Sequence, residues 1–218
     1  MSTAPSLKSG NENRGGTAGR ILDAAEQVFA ERGFAGAAIR DIAAGVQLNP
    51  ASLYNHFPGK QELYEAVLDR GLQPISELLQ GIAAESAPDN WNFNVIDAVV
   101  DHLAERPNLA RILQYEALAG GENISRLAGR WLGPIYEQGV GALKLNPGSE
   151  DWAPAALPLL IEAFHNMILG YFATAPLREK ILGEDPLSAD ALERQKRFLR
   201  NVATRLLGRP APATALPE

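Results

Sequence analysis

Three short helical patterns follow one another near the N-terminus, and their closeness limits what the chain can fold into. Apolar residues recur at spacings of three and four from Thr17, and Gly33 predicts the end of this first helix. The second pattern is "AAIRDIAAGVQL" and the third is "NPASLYNHFPGK". Each spans about two turns, which is too short to be stable unless the helices pack on one another. We therefore expect a compact three-helix unit.

The third pattern carries its own start and stop signals. Asn49 is a favourable N-cap and Pro50 a favourable first helical residue, while the Pro-Gly pair after Phe57 ends the helix. Leu53 and Phe57 lie four positions apart, so both point inward. The side chains left outside are small or hydrogen-bonding: Pro50, Ala51, Ser52, Tyr54, Asn55 and His56. This arrangement predicts a helix-turn-helix, whose second helix enters the DNA major groove.

The rest of the chain shows no sustained strand-like alternation, and therefore an all-α fold of about nine helices is predicted. A long helix begins at Lys60, with a kink or break expected at Pro74 because proline cannot donate a backbone hydrogen bond. Further helical patterns lie at about 92–105, 107–119, 122–144, 152–173 and 188–207. The predicted domains are a flexible arm (1–16), a DNA-binding domain (17–65), a ligand-binding and dimerisation domain (66–208) and a disordered tail (209–218).

Composition and charge narrow the function. A net charge of −6 argues against a nucleic-acid partner. Residues 1–60, however, hold six Lys/Arg and five Asp/Glu, a net +1, so the other residues carry −7 and any anionic partner is expected at the N-terminal end. The absence of cysteine excludes disulfides and thiol catalysis. No signal peptide and no apolar run of about 18 residues is visible, which predicts a cytoplasmic protein with no membrane partner.

The stretches "ILDAAEQVFAERGFAGAAIRDIA" and "SLYNHFPGKQELYEAVL" closely resemble the N-terminal domain of TetR-family transcriptional regulators, over roughly residues 17–68. The resemblance implies a homodimer, with a three-helix DNA-binding head and a larger helical body on each subunit. It also implies that Tyr54, His56 and Lys60 contact phosphates. Finally, it implies that DNA bases or their edges are faced by Pro50, Ala51, Ser52 and Asn55, that Arg40 touches DNA, and that Asn49 belongs to the same DNA-binding set.

The chain departs from the family pattern at two places in this unit. Gln47 stands where the family has a turn glycine, and Leu48 stands where it has valine. If the turn requires a positive φ, Gln47 costs about 1 kcal/mol or more. The second helix begins at Ala37-Ala38, which lack the capping hydroxyl of the family's Thr or Ser. Both departures bear on DNA affinity more than on the fold.

The resemblance also implies an apolar ligand pocket in the body. The candidate lining residues are the aromatic and histidine side chains Trp91, Phe93, His102, Tyr115, Trp131, Tyr136, Phe164, His165 and Tyr171. Aromatic residues at helical spacing are also ordinary core, and that interpretation stays open for each of them. The lone histidines have no paired ligand motif, so neither a metal nor a cofactor is predicted.

Two apolar helices near the C-terminus are candidates for a dimer interface. "APAALPLLIEAFHNMILGYFAT" is apolar on nearly every side, and "SADALERQKRFLRNVATRLL" has one apolar stripe with Ser188 as its cap. Together they can supply an isologous interface. The candidate residues are Leu157, Leu160, Ile161, Phe164, Ile168, Phe172, Phe198, Leu199, Val202 and Leu206.

The sequence therefore favours a ligand-responsive regulator that binds double-stranded DNA. In its most specific form, this is a homodimeric repressor that leaves a palindromic operator when a small hydrophobic inducer binds. The alternative is an all-α small-molecule-binding protein or enzyme whose N-terminal helices are structural. No carboxylate pair, Ser/His/Asp set or phosphate loop supports catalysis, so an enzyme is not predicted.

Overall fold

The computed structural model describes residues 16–84, 94–120 and 122–207, which contain helices and no strand. The prediction of an all-α fold is confirmed. The predicted tail, the pocket candidates Trp91 and Phe93, and all of the predicted arm except Gly16 lie outside the described residues.

The N-terminal unit consists of α1 (Thr17–Gly36), α2 (Ile39–Gly45) and α3 (Pro50–Tyr54). We call it the head. Gly33 has φ 65° and ψ 175°, so the chain leaves helical geometry at the predicted stop. Only glycine fits this point, because a Cβ would overlap the ring of Tyr115 from the rest of the molecule.

The turn between α2 and α3 has the strained backbone that the sequence predicts. Gln47 has a φ of 59°, in the left-handed region that favours glycine. The Leu48 amide closes the turn by donating to Ala43 O at 2.9 Å. After the turn, Asn49 caps α3 by accepting a hydrogen bond from the Ser52 amide at 2.7 Å, and Pro50 is the first helical residue. The predicted start of this helix is confirmed, whereas the helix ends at Tyr54, so the predicted end after Phe57 is wrong.

The long helix α4 (Lys60–Ala84) leads from the head into the remaining helices, which we call the body. The helix continues through Pro74, so the predicted break is wrong. Buried Leu72, Ile75 and Leu78 hold α4 against its neighbours on both sides of the proline. Gly71 allows α6 to approach closely, since a Cβ there would lie 2.7 Å from Leu109 Cδ2.

The body consists of the helices that follow α4. Their bounds are α5 (Asn94–Glu105), α6 (Pro107–Ala119), α7 (Glu122–Leu127), α8 (Gly133–Lys144), α9 (Leu157–Ala173), α10 (Ala175–Leu182) and α11 (Ala189–Leu206). Of these, α5 and α8 pack against α4. A π-helical segment, Ala128–Leu132, joins α7 to α8, so the predicted helix at 122–144 has an irregular middle. The sequence analysis missed α10. Ser188 caps α11 as predicted, because its Oγ accepts from the Ala191 amide.

Head and body share one hydrophobic core. A continuous cluster of buried side chains runs from Phe29 and Leu53 in the head, through Leu63 and Leu72 on α4, to Leu199 on α11. Phe57 packs against the same cluster, so the predicted inward pair Leu53 and Phe57 is confirmed. The predicted boundary at 65/66 falls inside α4, and it stays a prediction.

The segment Pro154–Ala173 has the length and apolar composition of a membrane-spanning helix, and it is the one such segment in the described ranges. Its buried residues include Leu157, Leu160, Leu169 and Phe172, which pack inside this chain. One side of this segment therefore packs within the chain, while other residues, such as Leu159, are exposed.

Replacing Gln47 by glycine is expected to stabilise the protein. A left-handed residue with a Cβ costs about 1–2 kcal/mol. The greater freedom of glycine in the unfolded chain returns about 0.5–1 kcal/mol of this. Denaturant unfolding should show a gain of about 0.5–1 kcal/mol for Gln47→Gly.

Gln47→Ala is the matched control, because it shortens the side chain and keeps the Cβ. We expect its free energy of unfolding to remain close to that of the parent. Equal stabilisation by alanine would show that the backbone of Gln47 is not the source of strain.

Candidate nucleic-acid interface and ligand cavity

The outer side of α3 is formed by the residues that the sequence analysis assigned to DNA. Leu53 is fully buried and fixes the helix on the head. Tyr54 is 48% exposed. The remaining candidates on and around α3 are also exposed, apart from half-buried Ser52: Asn49, Pro50, Ala51, Asn55 and His56. The structure thus brings these side chains together on α3 and on the residues directly before and after it, and buried Leu53 holds the helix in place.

Two cationic side chains near α3, Arg40 and Lys60, differ in their exposure and contacts. The side chain of Arg40 is 83% exposed, with its Nε 3.5 Å from Asp41 Oδ1. Lys60 lies at the start of α4, where its Nζ is 4.6 Å from the centroid of the Phe34 ring and donates to Ala35 O at 3.3 Å. Burial lowers the pKa of Lys60. Arg40 therefore extends into solvent, whereas Lys60 is held against the head.

A buried carboxylate ties the head to the body, and sequence reasoning did not find it. Glu26 on α1 is 7% exposed. Its Oε2 accepts from Arg70 on α4 at 2.8 Å and from Arg106, just before α6, at 3.1 Å. Arg70 also pairs with Asp23 at 2.7 Å. The three helices that meet at Glu26 are far apart in sequence, so no local pattern reveals this network.

A second set of contacts joins the same elements. His102 on α5 lies with its Nε2 2.7 Å from the carbonyl oxygen of Gly71 on α4. A carbonyl can only accept, so this nitrogen carries the proton. Burial lowers the pKa of His102, which favours the neutral ring. A further contact joins α1 to α6: the Phe34 amide donates to Glu116 Oε1 at 3.4 Å.

The body contains a cavity of about 180 Å³. It is lined mainly by apolar side chains from α4, α5, α6, α8, α9 and α11. Three predicted ligand-binding residues, Tyr136, Phe164 and His165, line it. The π-helical segment ends at Leu132, also in the lining, and local irregularities of this kind occur often at functional sites.

The other four candidates lie outside the lining of this cavity, and their role in ligand binding stays a prediction. His102 is bonded to α4, and Tyr115 covers Gly33. Trp131 lies beside Arg130, whose guanidinium carbon is 5.4 Å from the ring centroid. Tyr171 donates its hydroxyl hydrogen bond to Pro186 O at 2.6 Å. Each has a structural role that helical spacing could not distinguish from a pocket position.

Tyr136 and His165 form the polar end of the cavity. Their ring centroids are 5.5 Å apart. Burial lowers the pKa of His165, and the neighbouring Glu162 acts in the opposite direction. Burial also raises the pKa of Tyr136, with Glu162 adding to the effect. Both side chains are therefore uncharged near neutral pH.

The dimer candidates divide between the interior and the surface. Those buried within this chain are Leu157, Leu160, Ile168, Phe172 and Leu199. Ile161 and Phe164 line the cavity, while Val202 and Leu206 are half-buried. Phe198 alone of the ten is exposed, at 54%. The buried five pack within this chain, since α9 lies against α6 and α8 and α11 lies against α5. Their part in a dimer interface stays a prediction.

Part of this chain is similar to known bacterial regulatory proteins. Residues 21–67 match the family described as bacterial regulatory proteins, tetR family. The transcriptional repressor SCO4008 of Streptomyces coelicolor is 33% identical over 108 residues, covering 48% of this chain and 52% of the relative. The repressor Rv3405c of Mycobacterium tuberculosis is 38% identical over 106 residues, covering 44% and 56%. The chain thus spans about half the length of the curated relatives it matches.

Solved structures match over more of the chain and show the fold. AmtR of Mycobacterium smegmatis has a TM-score of 0.64 at 21% identity, over 90% of this chain and 88% of that one. The ketosteroid transcriptional regulator KstR2 of M. tuberculosis has a TM-score of 0.62 at 20% identity, over 89% and 94%. The arrangement of the helices in this chain is therefore a fold shared with these two structures.

Removing the Glu26 carboxylate should be strongly destabilising. In Glu26→Ala, Arg70 and Arg106 remain buried after losing the anion between them. Breaking a buried pair from one side costs about 3–5 kcal/mol, and we expect about 3 because Arg70 keeps Asp23. Denaturant unfolding measures the loss.

Glu31→Ala on the same helix is the control, since Glu31 is exposed and bonds only with Gln27 in the described structure. It should change the free energy of unfolding by less than about 0.5 kcal/mol. If both variants lost equally little, the network would not be what joins head to body.

Proposed function

We propose that this chain, whose residues 21–67 match the tetR family of bacterial regulatory proteins, is a homodimeric, ligand-responsive repressor of a palindromic DNA operator. The observation that carries the proposal is the surface at α3, a short helix fixed by buried Leu53. The helix presents Tyr54 to solvent, and the turn directly after it presents Asn55 and His56. The named relatives are transcriptional regulators. Such a regulator would act in the cytoplasm, where operator DNA is found.

The exposed groups around α3 suit the two kinds of contact that DNA recognition requires. Pro50 and Ala51 are small, so the start of α3 can come close to base edges, and Asn55 can hydrogen-bond to them. The hydroxyl of Tyr54 and the ring of His56 can donate to phosphates, which fix orientation. Arg40 adds a solvent-exposed cation beside this surface.

A second copy of the chain is the proposed dimer partner. Leu159 on α9 is 61% exposed, and Phe198 lies exposed on α11. Large apolar side chains exposed on two long helices support an interface between copies. Two-fold symmetry would then place two α3 helices about 34–36 Å apart, one turn of DNA.

The cavity and the head share α4, which supports control by a ligand. Leu72, Ile75 and Leu79 line the cavity, while Arg70 on the same helix bonds to Glu26 of the head. A ligand shifts the heads only as far as it binds the two arrangements with different affinity. We place that difference at the α4 wall of the cavity, which a bound ligand would contact.

Selection on a random pool of duplexes tests the proposal. The purified chain should enrich a palindromic sequence, and Tyr54→Ala should bind it at least about tenfold more weakly through loss of a phosphate contact. Leu177→Ala, equally exposed on α10, is the control and should bind normally. Failure to enrich any palindrome at low salt would favour the alternative, a small-molecule-binding protein with a structural head.

The salt dependence of operator binding tests Arg40. Each phosphate neutralised by a cation contributes about one unit to the slope of log affinity against log salt, so Arg40→Gln should lower the slope by about one. Arg194→Gln makes the same change in net charge on α11, away from the head, and should leave the slope unchanged. Equal slopes for all three proteins would remove Arg40 from the interface.

A further inference from the structure

The cavity of the body is apolar except at one end. Among the described residues that line it, Tyr136 and His165 are the ones with polar side chains, and none of the lining side chains is charged. An ion transferred into such surroundings loses its hydration without gaining a partner, at a cost of several kcal/mol or more. The lining therefore selects an uncharged ligand.

The volume of the cavity sets the size of the ligand. An apolar cavity of about 150 Å³ admits a benzene molecule. The cavity here, at about 180 Å³, has room for one six-membered ring with a small substituent. A fused multi-ring compound would need the surrounding helices to move apart.

The polar end has unused hydrogen-bonding capacity. Within the described residues, neither the Tyr136 hydroxyl nor the His165 ring bonds to another side chain or to the backbone. A neutral imidazole offers one donor and one acceptor, and the phenolic hydroxyl can act as either. The two groups sit on neighbouring helices, α8 and α9, with their ring centroids 5.5 Å apart, so they lie close enough together to contact the same ligand.

The negative charge near Tyr136 and His165 also favours an uncharged ligand. Glu162, one turn before His165 on α9, is the nearby acid whose charge acts on both Tyr136 and His165. A carboxylate or phosphate group on the ligand would meet this negative charge and find no cation in the lining. A hydroxyl or carbonyl group meets no such penalty.

We propose that the cavity binds an uncharged, single-ring compound with one hydroxyl or carbonyl group, which hydrogen-bonds to His165 and Tyr136. This inference rests on the proposed function, because the bound compound would be the inducer. It names a chemical class that neither the family match nor the relatives specify.

Titration calorimetry with three matched probes tests the chemical class. Toluene, p-cresol and 4-methylbenzoate share a methyl-substituted ring and differ in one group. On the full chain, p-cresol should bind about tenfold more tightly than toluene through its hydrogen bond. The benzoate should show no binding. Equal affinity for p-cresol and the benzoate, or no binding by any probe, would overturn the proposal.

Two variants test the residues. His165→Leu keeps the size and apolar character of the wall, so it should lower p-cresol affinity to the level of toluene and leave toluene binding intact. Tyr136→Phe should cause a smaller loss that is again specific for p-cresol. Equal weakening of both probes would mean that the substitutions damage the cavity, and the assigned hydrogen bonds would be wrong. Thermal melting of each variant establishes that it is folded.

Operator binding, measured separately with and without p-cresol, distinguishes the two proposals. Release of the operator by p-cresol from the parent chain, but not from His165→Leu, would support both. Probe binding in a chain that binds no operator would leave the cavity assignment standing and overturn the proposed function. Operator binding by a chain that takes up no probe would support the proposed function and overturn the cavity assignment.

Discussion

The buried carboxylate of Glu26 is the contact on which the arrangement of this molecule depends. It lies on the first helix of the head, and its two guanidinium partners belong to α4 and to the chain just before α6. A buried ion pair adds little net stability but is costly to break from one side. Other placements of the head would leave charges buried without partners, so the network favours a single geometry. The position of α3 relative to the body follows from that geometry.

The same constraint connects the cavity to the head. α4 carries Arg70 in the ion network and, two residues later, Leu72 in the cavity wall. Gly71 lies between them, and its carbonyl oxygen accepts the hydrogen bond from His102. One turn of helix therefore meets the head, the body and the cavity. A movement of side chains in the cavity wall would therefore be transmitted through directly contacting residues to the helices that hold α3.

Local rules predicted the parts of the fold that depend on neighbouring residues. Spacing identified Leu53 and Phe57 as inward, the turn register placed Gln47 in the left-handed region, and Asn49 proved to be the cap. Contacts between distant segments were missed. The Glu26 network joins residues more than 40 positions apart, and Tyr171 is bonded to a loop rather than facing the cavity. Apolar periodicity identified α9 as buried, yet it could not tell which side packs within the chain.

Native-state hydrogen exchange tests most directly whether head and body are one cooperative unit. The amides around Phe29 on α1, Arg70 on α4 and Ile112 on α6 lie in the shared core or beside it. If the network and core join these helices, the slowest amides of each should exchange with the same opening free energy, equal to that of global unfolding. Opening of the α1 amides at a clearly lower free energy than those of α6 would show that the head unfolds on its own, and would contradict the account.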